Sequence, residues 1–230
     1  YAQEGAHVAL ISNKKEDMDT VLGALPGRHT IGIHCDVSDE KQVCLAIKKA
    51  LGQFGRIDAI HNNAGIVVPS KVLHETTLEE WTHLMDTNLK SVYLTTRYGF
   101  AALKASKGCI LNTSSLVADI GQQDHAAYSA TKGGINALTK SMALDYACYG
   151  IRVNAVCPAW VLTPAVREWM TQHADEREIK KYIDSVHPLG YCPEGDVVAD
   201  ASVFLLSDKA RFITGCTLPV SGGAELGYRR

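Results

Sequence analysis

Short apolar segments alternate with longer amphipathic segments along the 230 residues of the chain. The short segments are rich in β-branched residues and are bounded by glycine, proline or polar residues, which is typical of buried parallel strands. They lie at residues 7–12, 30–35, 56–65, 108–115, 151–158 and 215–220. Strands that alternate with helices in this way predict an α/β fold, a doubly wound parallel sheet with helices on both faces.

Longer segments with the spacing of amphipathic helices lie at residues 38–55, 76–106, 126–150 and 194–208. Ser38 is the predicted N-cap of the first, and the second is either one long helix or two joined helices. Residues 159–195 interrupt the alternation, and we expect a helical excursion there in which a substrate lid could sit. Because no linker, repeat or low-complexity tract divides the sequence, we expect a single domain over residues 1–230.

The first residues, YAQEGA, are predicted to form the end of a helix that leads into the first strand. A dinucleotide-binding fold begins with a strand and a glycine-rich turn before that helix, and neither occurs in the sequence. We therefore expect about 20–30 further residues before Tyr1, the length of one βα unit.

Composition and charge exclude several classes of function. The formal net charge is −2, so no basic surface favours nucleic acid or an anionic membrane. The seven cysteines are scattered without a C-x-x-C pair, which is typical of buried, reduced thiols in a cytoplasmic protein. The histidines lack ligand spacing, so no metal site is predicted. No apolar run approaches the ~20 residues of a membrane span, and no signal peptide is recognised.

Candidate chemistry begins with Tyr128 and Lys132, which are four residues apart and therefore project from the same face of a helix. A cation beside the phenol favours the phenolate, so we expect Lys132 to lower the pKa of Tyr128 and make it a usable base. The alternative is that Tyr-x-x-x-Lys is a common spacing on helices. A serine pair, Ser114 and Ser115, lies upstream at the end of a predicted strand.

Several motifs occur together and in a fixed order. They are NNAG at 62–65, MDTNLKS around Asn88, NTSS ending at Ser115, YSATK at 128–132 and IRVNAVCPAWVLTP at 151–164. With these motifs, and a step of thirteen residues from Ser115 to Tyr128, the chain resembles the compact, single-domain short-chain dehydrogenases/reductases over essentially its whole length. The resemblance implies a Rossmann-like fold and an NAD(P)-dependent oxidoreductase. It departs from the family pattern at the glycine-rich turn, which does not occur, and at Ala159, where the family usually has glycine.

The resemblance implies a role for each matching residue. Tyr128 would be the general acid/base, and Ser115 would hold the reacting oxygen. Lys132 would lower the pKa of Tyr128 and bind the nicotinamide ribose. Asn88 would anchor a water that relays protons toward Lys132; the alternative is an asparagine at a helix kink that bonds to backbone. Ser114 is expected to be only a strand-end residue.

The resemblance places the cofactor at the carboxyl ends of the strands, as in other dinucleotide folds. The matching cofactor-binding residues, in addition to Tyr128 and Lys132, are Asp36, Val37, Asn62, Ala64, Gly65, Pro158, Val161 and Thr163. For Asp36 the alternative is a cap before the helix that follows.

The choice of cofactor depends on the end of the first predicted strand, residues 7–12. An acidic residue there would bind the ribose 2′-hydroxyl of NAD, whereas cations accommodate the 2′-phosphate of NADP. The chain has Ser12, Asn13, Lys14 and Lys15 there, with no carboxylate, so NADP is favoured over NAD. Ser12, Asn13 and Lys14 are the candidate cofactor contacts. The alternative is that the lysines only begin a solvated helix.

Substrate residues are expected just before Tyr128 and in the 159–195 excursion. Gln122, Gln123 and His125 supply hydrogen-bonding groups and Trp160 supplies a flat apolar face, a mixture that favours a small polyol or sugar. The glutamines could instead be exposed turn residues. The alternative functions are a 3-oxoacyl-(acyl carrier protein) reductase and a non-catalytic dinucleotide-binding or scaffolding relative.

The predicted helix that carries Tyr128 has small and apolar residues on more than one side, so we expect a homotetramer or homodimer.

Overall fold

The fold is known from a computed structural model that describes residues 1–25, 29–172 and 175–227. Its strands are β1 (Val8–Ser12), β2 (Thr30–His34), β3 (Ala59–Asn62), β4 (Cys109–Thr113), β5 (Arg152–Pro158) and β6 (Thr217–Val220). Its α-helices are α1 (Lys15–Gly23), α2 (Glu40–Phe54), α3 (Leu78–Met85), α4 (Ser91–Ser106), α5 (Ala126–Ala147), α6 (Pro164–Thr171), α7 (Glu176–Val186) and α8 (Asp196–Leu206). The parallel α/β fold predicted from the sequence is confirmed, and each predicted strand segment contains a strand.

The strands form two parallel sheets, with the orders β1-β2 and β3-β4-β5-β6. In the described ranges, β1 and β3 are not hydrogen-bonded to one another. Every neighbouring pair is parallel, so the carboxyl ends of β3, β4 and β5 lie at one edge of the larger sheet.

Helices cover both sides of the strands. The larger core cluster joins α2, α4 and α5 to β2, β3, β4 and β5, with Leu103, Ile110 and Val153 fully buried. Close approach of α4 to β3 requires Gly99, because a Cβ there would lie 2.4 Å from Ile60 Cδ1. A second cluster packs α8 against β4, β5 and β6. In the described ranges, no helix combines the length and apolar character needed to cross a lipid bilayer.

Helix α2 begins one residue later than the sequence predicts. Asp39 is the N-cap and accepts a hydrogen bond from the Gln42 amide, 3.0 Å away, so the assignment of Ser38 is wrong. The Ser38 hydroxyl and amide instead donate to Asp36 Oδ1, at 2.7 and 2.9 Å. Ser38 therefore belongs to a turn that precedes the helix, because its hydroxyl and amide bond to the Asp36 carboxylate.

The long predicted helix over 76–106 is two helices joined by a π turn. Helix α3 begins with a capping box in which Thr77 and Glu80 bond reciprocally, and Asp86–Lys90 then form the π turn that leads directly into α4. A π turn inserts one extra residue into the helical ladder and re-aims the side chains that follow it.

The first residues have the hydrogen bonds of a helix C-terminus, in agreement with the prediction. The Ala6 amide donates to the Tyr1 carbonyl at 3.1 Å and the Gly5 amide donates to the Ala2 carbonyl at 3.2 Å, with Gly5 at a φ of +85°. Helix α1 is not among the predicted helices because Met18 is its one buried residue, which leaves no apolar stripe for the pattern to reveal.

The seven cysteines are free thiols. Four are buried, Cys44 and Cys216 are partly exposed, and Cys148 is exposed, so the prediction of uniformly buried thiols is wrong at these last three. Cys148 follows the end of α5 at the surface, where no sheet covers it.

Candidate active site

Tyr128, Lys132 and Ser115 come together at the carboxyl edge of the larger sheet. Ser115 lies two residues beyond the end of β4, while Tyr128 and Lys132 lie on the first two turns of α5. Ser114 Oγ donates to the Lys132 carbonyl at 3.1 Å, which fastens the helix to the end of the strand. This contact agrees with the prediction that Ser114 is a structural residue.

Lys132 extends beneath the phenol ring of Tyr128. Its Nζ lies 5.6 Å from the ring centroid, which confirms that both side chains leave the same face of the helix. The same Nζ donates to the Thr113 carbonyl at 2.8 Å. Only 4% of Lys132 is exposed, so a strand carbonyl, and not solvent, holds the ammonium in place.

Burial governs the acid–base properties of this pair. Burial lowers the pKa of the Lys132 ammonium to about 8, because the charged form is desolvated. Burial also raises the pKa of the Tyr128 phenol, and a hydrogen bond with Ser115 offsets only part of that rise. The lowered phenol pKa predicted from the sequence is therefore wrong for this structure: desolvation of the phenolate outweighs the favourable contacts.

Asn88 lies in the π turn and is 1% exposed. Its Oδ1 accepts from the Ile66 amide at 2.8 Å, and its Nδ2 donates to the Ile66 carbonyl at 2.8 Å. Nδ2 also donates to Thr131 Oγ1 at 3.1 Å. The side chain thus ties the segment after β3 to α5, as the helix-kink alternative expects. A water anchored by Asn88 stays a prediction.

Gly65 lies between these groups. A Cβ at this position would be tight against Asn88 Oδ1, 3.3 Å away, and in van der Waals contact with Lys132 Nζ, 3.5 Å away, so a side chain here would occupy the space beside both polar atoms. Asn62, at the end of β3, is held by Thr95 and Asn112 at 2.7 and 2.9 Å. Together these residues form a backbone-lined cradle beside a buried amine, which fits the close approach that a dinucleotide requires.

The predicted contacts near β1 and β2 also lie at carboxyl ends of strands. Ser12 ends β1, and its Oγ accepts from the Lys14 amide at 3.0 Å. The carbonyl of Asn13 lies 3.2 Å from His34 Nε2. Lys14 is an exposed N-cap residue that pairs loosely with Asp17 at 4.0 Å.

Asp36 and Val37 follow β2. Asp36 Oδ1 accepts hydrogen bonds from the Ser38 amide and hydroxyl in a turn before α2. Asp39 is the N-cap of that helix, so the alternative role of Asp36 as its cap is wrong. Its role in cofactor binding stays a prediction.

Pro158, Val161 and Thr163 carry the chain from β5 into residues 159–195. Thr163 is the N-cap of α6 and accepts from the Val166 amide at 3.3 Å, while the Val161 carbonyl accepts from the Thr163 amide at 2.7 Å. The described part of the excursion has a small core of its own, built around Leu162, Met170, Ile183 and Cys192.

The predicted substrate residues have different surroundings. Trp160 stacks on Trp169 with ring centroids 5.3 Å apart, so its flat face packs within the excursion. Gln122 and Gln123 are exposed, in agreement with the turn-residue alternative.

Of these predicted substrate residues, His125 has a ring contact with Tyr128. Its ring meets that of Tyr128 edge-on at 6.3 Å, and its Nε2 lies 2.9 Å from Ser70 Oγ. Ser70 and Thr113 are site residues that sequence reasoning missed. Ser70 belongs to no motif, whereas Thr113 lies inside the NTSS motif that ends at Ser115. Their part in the site becomes visible only when the loop after β3 and the end of β4 are placed against α5.

Within the described residues, no group of three or more histidine, cysteine, aspartate or glutamate side chains is placed to hold a metal ion.

Comparisons with known proteins agree with this geometry. A family model described as enoyl-(acyl carrier protein) reductase matches residues 1–225. The chain is 37% identical over 230 residues to L-fucose dehydrogenase of Bos taurus, which covers 100% of this chain and 84% of that protein. It is 36% identical to meso-2,3-butanediol dehydrogenase of Serratia marcescens, with 97% of this chain and 86% of that protein covered.

Among solved structures, the fold matches a 3-ketoacyl-(acyl-carrier-protein) reductase from Brucella melitensis complexed with NADH. The TM-score is 0.88 at 30% identity, and the match covers 97% of this chain and 90% of that chain.

Proposed function

Because the chain belongs to the short-chain dehydrogenase/reductase family, we propose that it interconverts a secondary alcohol and a ketone on a small polyol or sugar. It is an oxidoreductase that acts on CH–OH groups with a nicotinamide dinucleotide. The observation that carries the proposal is the meeting of Ser115, Tyr128 and Lys132 at one edge of the sheet, with Lys132 buried beneath the phenol.

The proposed roles follow from the contacts of each group. When bound, the nicotinamide accepts hydride from the alcohol carbon or supplies it to the carbonyl carbon. Ser115 donates a hydrogen bond to the reacting oxygen and fixes its orientation. Tyr128 removes the proton from that oxygen during oxidation and returns it during reduction. Its raised pKa keeps the phenol protonated at neutral pH, which suits the donor role in reduction.

The proposed cofactor contacts lie along the carboxyl edge. Gly65, with Asn62 and Ala64, leaves room for the nicotinamide half beside Lys132, whose Nζ would bond a ribose hydroxyl. Asp36 and Val37 would contact adenine. On the far side of the site, Pro158, Val161 and Thr163 would contact the carboxamide and pyrophosphate, and Asn88 would keep the cradle in place through Ile66.

We propose NADP as the preferred cofactor. No acidic residue ends β1, and Ser12, Asn13 and Lys14 would instead leave the 2′-phosphate beside a cation. The ion pair between Lys14 and Asp17 is long and exposed, so a phosphate could displace it at little cost.

A polar substrate is supported by His125 and Ser70, which present a hydrogen-bonded pair beside Tyr128. The relatives named for L-fucose and for 2,3-butanediol act on polyhydroxylated molecules by their names, and this favours a sugar or polyol over an oxoacyl thioester. Residues 159–195 would cover the substrate as a lid, with Trp160 on its inner side and Gln122 and Gln123 at the rim.

We also propose a homodimer or homotetramer. A groove of about 520 Å³ runs between the π turn, the start of α4 and α5, and apolar Met85, Leu89 and Leu138 line it. Farther along α5, Leu144 is 82% exposed, so this face of the helix offers apolar area for a second copy. Sedimentation velocity at micromolar concentration tests this proposal, and a monomer would contradict it.

The free thiols support a cytoplasmic location.

The test of the function is a panel of vicinal diols, sugars and oxoacyl thioesters assayed with NADP and NAD. We expect turnover on a polyol or sugar and tighter binding of NADPH than of NADH by nicotinamide fluorescence. Turnover confined to oxoacyl thioesters would favour the reductase alternative. Cofactor binding without turnover on any substrate would favour a non-catalytic relative.

A further inference from the structure

His61 lies at the centre of a short chain of hydrogen bonds on one face of the larger sheet. It is on β3, and its Nε2 lies 2.9 Å from Thr113 Oγ1 on the neighbouring strand β4. Its Nδ1 lies 2.7 Å from the Tyr1 hydroxyl. Thr113 Oγ1 in turn donates to Asn63 Oδ1 at 2.9 Å. Four residues from three separate parts of the chain are thus joined.

The direction of each bond follows from the number of protons available. A hydroxyl has one proton, and Thr113 gives it to the Asn63 amide oxygen, so Thr113 Oγ1 accepts from His61 Nε2–H. His61 Nδ1 is then the acceptor of the Tyr1 hydroxyl proton. The ring is therefore neutral with its proton on Nε2. Burial supports the same state, because it lowers the pKa of His61 to about 4.

Thr113 also holds Lys132, since its backbone carbonyl accepts the Nζ hydrogen bond. Side-chain hydrogen bonds hold the end of β4 on both faces of the sheet. On the opposite face Asn112 accepts from Asn62 and donates to Thr139 of α5, each at 2.9 Å. On the face of Thr113, the hydrogen bond from His61 has the corresponding role. The Thr113 carbonyl, which accepts from the Lys132 ammonium, thus lies where β4 is held by the side-chain bonds of both Asn112 and Thr113.

We propose that His61 is a positioning residue: by bonding the Thr113 hydroxyl, it sets the place of the carbonyl that holds the Lys132 ammonium. The inference rests on the proposed function, because it assumes that Lys132 serves the reaction. Without the bond from Nε2, the Thr113 side chain keeps only its bond to Asn63, and the Thr113 carbonyl is held less firmly in line with the Lys132 ammonium. A desolvated ammonium with a weaker acceptor has a lower pKa.

The test measures Lys132 itself and does not depend on turnover. The Cε resonances of [13C]lysine-labelled protein are followed by NMR as a function of pH, and Lys132→Arg identifies the resonance of Lys132. Thr113→Val removes the hydroxyl, His61→Leu removes the ring donor, and Thr113→Ser keeps the hydroxyl. Ile60→Val is the matched control. Ile60 is the buried neighbour of His61 on β3, and its side chain packs in the larger core cluster, away from Thr113.

We expect Thr113→Val and His61→Leu to lower the apparent pKa of Lys132 by about half a unit, the effect of weakening one hydrogen bond. In the reduction direction, the alkaline limb of the pH–kcat profile should move to lower pH by the same amount, with KM nearly unchanged. Thr113→Ser should restore the titration of the wild-type protein, and Ile60→Val should change only thermal stability. Tyr128 and Cys157 are the other titratable groups near the ammonium, and all four variants retain them.

An unchanged titration of Lys132 in folded Thr113→Val and His61→Leu proteins would overturn the inference, because His61 would then be only a core histidine. Failure of the proposed function has a different signature: the wild-type protein would turn over no substrate, while the titration of Lys132 would still respond to the variants.

Discussion

The two walls of the proposed site are built in different ways. On the wall formed by β3, β4, α5 and the π turn, Asn88 and Lys132 are buried and held by the protein: Asn88 makes three hydrogen bonds and Lys132 is bonded to a strand carbonyl. On the wall formed by residues 119–125 and 159–195, the glutamines are exposed and Trp160 packs on Trp169. We propose that the first wall, here called the rigid wall, carries the reaction chemistry. The second wall would select the substrate, because its exposed side chains can be substituted without disturbing buried hydrogen bonds.

The largest effect is expected from Tyr128→Phe. Loss of the proton donor should lower kcat by about 10²–10⁴-fold, the usual contribution of general acid–base catalysis. Cofactor affinity, measured by nicotinamide fluorescence, should change little because the ring remains. Activity close to that of the wild-type protein would show that another group transfers the proton.

Ser115→Ala should act on both rate and pH dependence. Removal of the donor to the reacting oxygen should cost about 10²-fold in kcat. The bond from Ser115 lowers the pKa of Tyr128, so its loss should raise that pKa further. Oxidation needs the phenolate and increases as pH rises, so its pH–rate profile should move to higher pH in the variant. A profile that stays in place or moves to lower pH would contradict the assigned contact.

Gly65→Ala tests the cradle on the rigid wall. The new Cβ would lie within 3.5 Å of both Asn88 Oδ1 and Lys132 Nζ, and we expect overpacking to cost about 1–3 kcal/mol in cofactor binding. Isothermal titration with NADPH measures the loss. The control is Gly52→Ala in α2, where a Cβ meets nothing within 4 Å and greater helix propensity should raise the melting temperature. Equal affinities of both variants would remove Gly65 from the site.

On the other wall, Trp169→Ala should loosen the excursion without disturbing the proton-transfer groups. Loss of the stacked partner of Trp160 should cost about 0.5–1.5 kcal/mol in packing beyond the area lost. Steady-state kinetics should show KM for the substrate raised several-fold with kcat changed less. A kcat loss as large as that of Ser115→Ala would mean that the excursion takes part in the chemistry.

The smallest effect is expected from Gln123→Ala. The side chain is exposed, and substitutions of this kind usually change stability by less than about 0.5 kcal/mol. Melting temperature should be unchanged, and kcat/KM across the substrate panel should change by less than the Trp169→Ala effect. A larger change for one sugar alone would identify Gln123 as a specificity residue.

The same contrast explains what could be predicted from the sequence. Tyr128 and Lys132 share a helical face because their spacing is local, and the strand segments are visible as apolar runs. The contact of His61 with Thr113 and Tyr1 joins residues far apart in the chain, and no local pattern encodes it. The direction of the Tyr128 pKa depends on burial, which a spacing of residues does not report. The N-cap at Asp39 was missed because Asp36 competes for Ser38.

The π turn at Asp86–Lys90 has a consequence for how the rigid wall can vary. Removal of one residue there would restore a regular helix and turn all of α4 by about 100° relative to α3. Thr95 would then leave Asn62, and Gly99 would leave Ile60. Point substitutions cannot produce this change, whereas a single codon deletion can. Tolerance to substitution and tolerance to deletion should therefore diverge sharply at these five positions.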